Sequence, residues 1–205
     1  MSTTGRRPRM TTQTPRSKAK SDRRDQLIAA AERLMAEHGY LAVRLEDIGS
    51  AAGVSGPAIY RHFPNKEALL TELLVGISTR LLSGATEVAA AAGDARQALD
   101  GLIDFHLDFA LGESDLIRIQ DRDLAHLPAQ AKRQVRKAQR QYVEIWVEAL
   151  RRLDDTLDEA DARLKAQAVF GLLNSTPHSV KAPTLTHSSR AVLRAMTVAA
   201  LAATP

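Results

Sequence analysis

Residues 45–64, LEDIGSAAGVSGPAIYRHFP, constrain the fold more than any other segment: two short helical patterns joined by a glycine, neither long enough to stand alone. Leu45, Ile48, Ala51 and Ala52 recur at helical spacing and leave Glu46, Asp47 and Ser50 to water. Gly53 ends this pattern, because glycine enters the left-handed region without a Cβ clash. Val54 packs beneath the turn, Ser55 is placed to cap the next helix, and Pro57 suits its first turn, where no N–H is required. The spacing predicts a second helix over about residues 56–63, with Ile59 and Phe63 inward and Gly56, Pro57, Tyr60, Arg61 and His62 on or near the outer side. A helix this short that shows an aromatic, an arginine and a histidine to solvent is a poor core element and a good probe of a DNA major groove. An ordinary helical hairpin has no need of those three together with Lys66 just beyond.

Over about residues 25–74 the chain resembles the TetR family of transcriptional regulators. The resemblance rests on His38-Gly39-Tyr40 closing the first helix, Asp47-Ile48-Gly49, Ala52-Gly53-Val54-Ser55, Ile59-Tyr60-Arg61-His62-Phe63, and Asn65-Lys66-Glu67-Ala68-Leu69-Leu70 opening the fourth. It implies phosphate contacts for Tyr60, His62 and Lys66. Arg44 stands where the family often has a threonine that caps the second helix and touches phosphate, and Gly49 where it often has alanine. Arg44 can supply the phosphate contact by charge, but the cap must then come from elsewhere or be absent. Ser55, Gly56, Pro57 and Ala58 complete the expected DNA-facing set. The last three offer little side-chain hydrogen bonding, so base discrimination falls to Arg61, Arg44, apolar contacts and DNA shape.

Charge is distributed unevenly. Residues 1–24 hold eight Lys and Arg against Asp22 alone, so the net charge of +4 belongs to a basic N-terminal tail and the remainder is acidic. That tail has few large apolar residues to offset its ordering entropy and is expected to be disordered over residues 1–21. It reads either as a solubilising extension or as an arm that follows phosphates beside the reading helix. The absence of cysteine excludes disulfides, thiolate nucleophiles and zinc–thiolate sites. No apolar run approaches the roughly 20 residues that span a bilayer, and the Arg-rich start lacks a hydrophobic signal region, so a cytoplasmic protein without membrane contact is expected.

Helical periodicity continues along the chain and strand alternation does not, which makes the fold all-α with about nine helices. The expected organisation is a helix-turn-helix domain over residues 22–66 and a larger ligand-binding and dimerisation domain over residues 67–205. Lys66 opens a helix through Leu82 that links the two, and residues 87–94 read as an Ala- and Gly-rich loop. The last two helices carry small faces, among them Ala162, Ala166, Ala191, Ala195 and Ala199. Such faces either close the monomer core or let a second copy approach closely. A homodimer through these two helices also places two reading helices in successive major grooves, near 34 Å apart.

Leu102, Phe105, His106, Phe109, Ile119, Gln120, Tyr142, Trp146 and Phe170 offer apolar and aromatic walls with a few polar groups, as a small-molecule chamber requires; taken singly, each reads as core. His106, among apolar neighbours, reads as a hydrogen-bonded core histidine. The stretch from Leu116 to Leu124 with His126-Leu127-Pro128, then Arg140-Gln141-Tyr142-Val143 and Trp146, is similar to acyl-CoA-responsive actinobacterial members of the family. That likeness implies an acyl tunnel with Arg118, Arg122, Arg133, Arg136 and Lys137 near CoA phosphates. The same cations also read as a solvated face paired with Asp121, Asp123 and Glu144. No nucleophile–base–orienter set or i, i+4 metal-ligand pair is present, so neither enzyme activity, metal nor cofactor is expected. His178 and His187 flank a loop over residues 174–188. The competing reading is an architectural DNA binder driven by the tail, with equal affinity for any duplex.

Overall fold

The computed structural model describes residues 15–175, 178 and 187–203. Among them the chain forms nine α-helices and one 3-10 turn and no strand. They are α1 (Pro15–His38), α2 (Leu45–Ala51), α3 (Gly56–Ile59), α4 (Lys66–Ala91), α5 (Ala95–Gly112), α6 (Ser114–Asp123), the 3-10 turn Leu124–His126, α7 (Ala129–Leu153), α8 (Glu159–Asn174) and α9 (His187–Ala202). Residues 15–21, which composition assigns to the tail, therefore lie in α1, while residues 1–14 fall outside the described residues.

α1, α2 and α3 form a small head whose centre is Leu27, Ala31, Met35, Ile48, Ile59 and Phe63, each at most 1% exposed. The two chain reversals around α2 use glycines at positive φ, Gly39 at 88° and Gly53 at 65°, where a Cβ would be strained. α2 lacks the threonine cap and obtains a substitute: the backbone N–H of Arg44 donates to Asp47 Oδ2 at 3.1 Å, one half of a capping box. Ser55 precedes α3 in extended conformation, but its hydroxyl makes no capping bond, contrary to the sequence expectation. α3 is also shorter than expected. It ends at Ile59, and residues 60–62 continue as hydrogen-bonded turns in which the His62 and Phe63 N–H groups both reach the Ile59 carbonyl at 2.9 Å.

α4 bridges the head and a bundle made with α5, α7, α8 and α9, with α6 wedged between bundle and head against α1. The expected loop over residues 87–94 shrinks to Ala92–Asp94, because the alanines there favour helix and α4 runs on to Ala91. By length and composition alone α4 suits a membrane span, with an 18-residue window of mean hydropathy 1.3. In the fold Leu69, Leu70, Leu73, Leu74 and Ile77 of that helix are buried in the core. α5 closes on α4 at Gly84, where a Cβ would lie 2.4 Å from Phe105 Cζ, so the glycine makes room for the Phe105 ring. α9 is held to α5 by Arg190 and Arg194 on Asp100, Asp104 and Asp108. Those pairs turn the apolar Val192 and Met196 outward, 54% and 49% exposed.

Candidate DNA-reading head and ligand chamber

The outer surface of the head carries the residues that sequence spacing placed there. Arg44, Ser55, Pro57, Tyr60 and Arg61 are exposed; Gly56, Ala58, His62 and Lys66 are half-buried. The Tyr60 hydroxyl donates to Glu46 on α2, a bond that holds the Glu46 carboxyl below its ordinary range and the Tyr60 phenol above its own. A phosphate reaching Tyr60 must displace that carboxylate. Partial burial, with Lys20, Arg24 and Arg23 nearby, lowers the His62 pKa below 6.5, so the ring is mainly neutral at pH 7 and suited to donate a hydrogen bond rather than charge.

Two cations do more internal work than the sequence suggests. The Lys66 ammonium donates to the carbonyls of Val43 at 2.7 Å, Tyr40 and Leu41, and lies 4.3 Å from the Tyr40 ring centre. It thereby clamps the link between α1 and α2 onto the start of α4. Arg24, counted by composition among the tail cations, lies 4.2 Å over the Phe63 ring and bonds to Glu72 on α4 and to the His62 carbonyl at 2.7 Å.

The bundle holds a partly open cavity of about 180 Å³ lined by Ser78, Leu81, His106, Phe109, Gln120, Ala138, Gln139, Tyr142, Val143, Phe170 and Asn174. Five of the nine expected chamber residues are therefore at the wall. Leu102, Ile119 and Trp146 are fully buried core instead, and Phe105 is spent on Gly84. Sequence reading missed Gln139 and Val143, which flank Tyr142 on α7, and Asn174, one turn after Phe170 on α8. Helical spacing from the aromatics could have found those three; Ser78 and Leu81 on α4 carried no such signal.

His106 is at once core and wall. Its Nδ1 stands 3.0 Å from the Tyr142 hydroxyl and its Nε2 3.1 Å from Asn174 Oδ1, while Phe109, Tyr142, Trp146 and Phe170 surround the ring. Burial pushes its pKa down to about 4, so the ring is neutral. The tautomer that satisfies both bonds carries its proton on Nε2: Nε2–H donates to Asn174, and Tyr142 O–H donates to Nδ1.

α6 joins chamber and head. Gln120 lines the cavity, and two residues on, Arg122 donates to the Met35 carbonyl at the end of α1. Asp123, 2% exposed, accepts from Arg122 and, at 3.2 Å, from the backbone N–H of Tyr40, whose ring stacks on His126 at 5.1 Å. These bonds remove Arg122 from any phosphate site, and Arg118 is paired with Asp115. The alternative expectation, a face paired with Asp121, Asp123 and Glu144, holds for Arg122 with Asp123, whereas Asp121 and Glu144 bond His178 and Arg163. Arg133, Arg136, Lys137 and Arg140 remain as an exposed basic stripe on α7. Among the described residues no group of three His, Asp or Glu side chains could hold a metal ion. His178 meets Asp121 at 3.1 Å on the surface, and His187 has no described side chain.

A family model described as bacterial regulatory proteins, tetR family, matches residues 27–73, and one described as tetracyclin repressor-like, C-terminal domain, matches residues 92–178. The HTH-type transcriptional repressor KstR2 of Rhodococcus jostii is 32% identical over 110 residues, 54% of each chain; the chain thus spans about half the length of this curated relative. A regulator structure from Bordetella parapertussis superposes with a TM-score of 0.79 at 23% identity, covering 87% of this chain and 93% of that one. AibR, solved with isovaleryl coenzyme A and operator DNA, superposes at 0.73 and 17% identity, over 85% and 96% of the two chains.

Proposed function

The chain belongs to the TetR family of bacterial transcriptional regulators, and on that premise we propose that it is a homodimeric repressor released from a palindromic operator by a small, largely apolar effector. The observation that carries this reading is the pairing of an exposed head around α3 with a cavity whose wall includes two helices, α4 and α6, that also touch the head. Arg44, Ser55, Gly56, Pro57, Ala58, Tyr60, Arg61 and His62 form the DNA-facing set, with Lys66 shared between phosphate and its carbonyl clamp.

Dimerisation through α8 and α9 is supported by Leu164, Val192 and Met196, large apolar side chains 64%, 54% and 49% exposed on those helices. Singly exposed apolar residues are ordinary; three on two adjacent helices, beside the exposed Ala168, Gly171, Ala195 and Ala199, suit a four-helix contact, while Ala162 and Ala166 close the monomer core. The repressor sign follows the likeness to KstR2. The effector class follows the lining, and an acyl-CoA thioester, as in the AibR structure, is the member that would also use the α7 stripe for its phosphates. Occupancy of the cavity moves α6 and α4 against α1, and the two heads lose the spacing of successive grooves.

Selection from a random duplex library, followed by titration of the enriched site, tests the reading. Enrichment of a two-fold motif bound by a dimer is expected, and Leu164→Glu should yield monomers with weakened binding. Equal affinity for all duplexes with a steep salt dependence would instead mark an architectural binder.

A further inference from the structure

The polar atoms of the chamber form a directed set. With Nε2–H of His106 given to Asn174 Oδ1 and Tyr142 O–H given to His106 Nδ1, Asn174 keeps its Nδ2 hydrogens and Tyr142 an oxygen lone pair beyond the one facing the Trp146 indole, both on cavity-lining residues. Ser78 adds no donor, because its hydroxyl is spent on the Leu74 carbonyl at 2.7 Å. The remaining polar lining residues, Gln120 and Gln139, are amides, and none of the lining side chains is a Lys, Arg, Asp or Glu. A carboxylate entering this space would lose its hydration without gaining a cation, whereas an uncharged oxygen could exchange water for Asn174 or Tyr142. Burial keeps His106 from becoming that cation, since its pKa lies near 4. Size limits the guest too: a cavity of about 150 Å³ holds one benzene ring, and this one measures about 180 Å³.

Resting on the ligand-chamber reading above, we infer that the chamber selects a compact apolar group bearing an uncharged oxygen, a carbonyl or a hydroxyl, which it binds through Asn174 and Tyr142, and that it rejects the matching carboxylate. A thioester carbonyl satisfies this rule with its charged portion left outside; a free fatty acid seated head-first does not.

Trp146, the sole tryptophan, is fully buried with its ring 6.2 Å from His106 and 5.1 Å from Phe170, so its indole N–H resonance is a single reporter beside this cavity. The full-length protein is titrated at pH 7 with cyclohexanone, cyclohexanol, methylcyclohexane and cyclohexanecarboxylate, following that resonance. The ketone and the alcohol should bind at least tenfold more tightly than the hydrocarbon and the carboxylate. Tyr142→Phe should abolish the advantage of the alcohol, and Asn174→Leu that of the ketone, with methylcyclohexane binding retained in both. Equal or tighter binding of the carboxylate or of methylcyclohexane would overturn the inference while leaving the chamber in place. A resonance unmoved by all four would overturn both.

Discussion

The reading head and the ligand chamber have opposite constructions. The head is built from one continuous stretch and shows its functional side chains to water, with Tyr60 half exposed and Arg61 exposed. The chamber is assembled from five helices, and its central contacts join residues 36 and 68 positions apart in the chain, with His106 only 3% exposed. One region can therefore change its chemistry without disturbing the fold; in the other, Ser78, His106 and Tyr142 are buried and serve core and wall at once.

The largest separation of the two should come from the head. Tyr60→Ala combined with Arg61→Ala is expected to weaken binding to the selected operator about a hundredfold while leaving thermal unfolding unchanged, since both side chains are exposed. A matching loss of thermal stability would show that the head is not the autonomous surface described.

Acidification probes the chamber in turn. His106 has its pKa lowered in the fold to about 4 from an ordinary 6.5, so between those values the unfolded chain binds a proton that the native chain refuses. Stability is then fully present above about pH 6.5 and is lost as pH falls toward 4, with roughly 2 kcal/mol gone between pH 7 and pH 5 from this group. Denaturant titrations at the two pH values should show that loss, and in a His106→Gln variant it should be reduced by about that amount. The same decrement in both proteins would place the acid sensitivity elsewhere.

A smaller effect is expected at Glu46, whose carboxylate holds the Tyr60 hydroxyl and adds negative charge beside the phosphate path. Glu46→Gln should tighten operator binding a few-fold, read by fluorescence anisotropy in moderate salt. Weaker binding would mean that Glu46 orients Tyr60 toward DNA rather than away from it.

The contrast also explains what the sequence could convey. The α2–turn–α3 unit was legible because periodicity, a left-handed glycine and Pro57 act within 20 residues; where that reading slipped, at the Ser55 cap and the length of α3, the fault lay in side-chain geometry that spacing does not encode. In the chamber, residue type was legible and assignment was not. Trp146 and Phe170 look equivalent in the sequence, yet Trp146 is buried behind the wall and Phe170 forms it, a difference set by how α7 and α8 pack. For Arg122 the sequence leaves a phosphate or a neighbouring carboxylate as partner, and the pairing with Asp123 is the one that holds; its further acceptor, the Met35 carbonyl, lies 87 residues away and leaves no local sign.

That arginine offers a direct test of whether chamber and head are coupled. The selected operator is added to the protein while the Trp146 indole resonance is followed, first in the wild type and then in Arg122→Ala, which removes the side-chain bonds from α6 to the α1 carbonyls and leaves that of Asp123 to Tyr40. DNA should shift the resonance in the wild type and shift it markedly less in the variant, at equal saturation of the head. A wild-type resonance that stays fixed while the head fills with DNA would contradict the coupling.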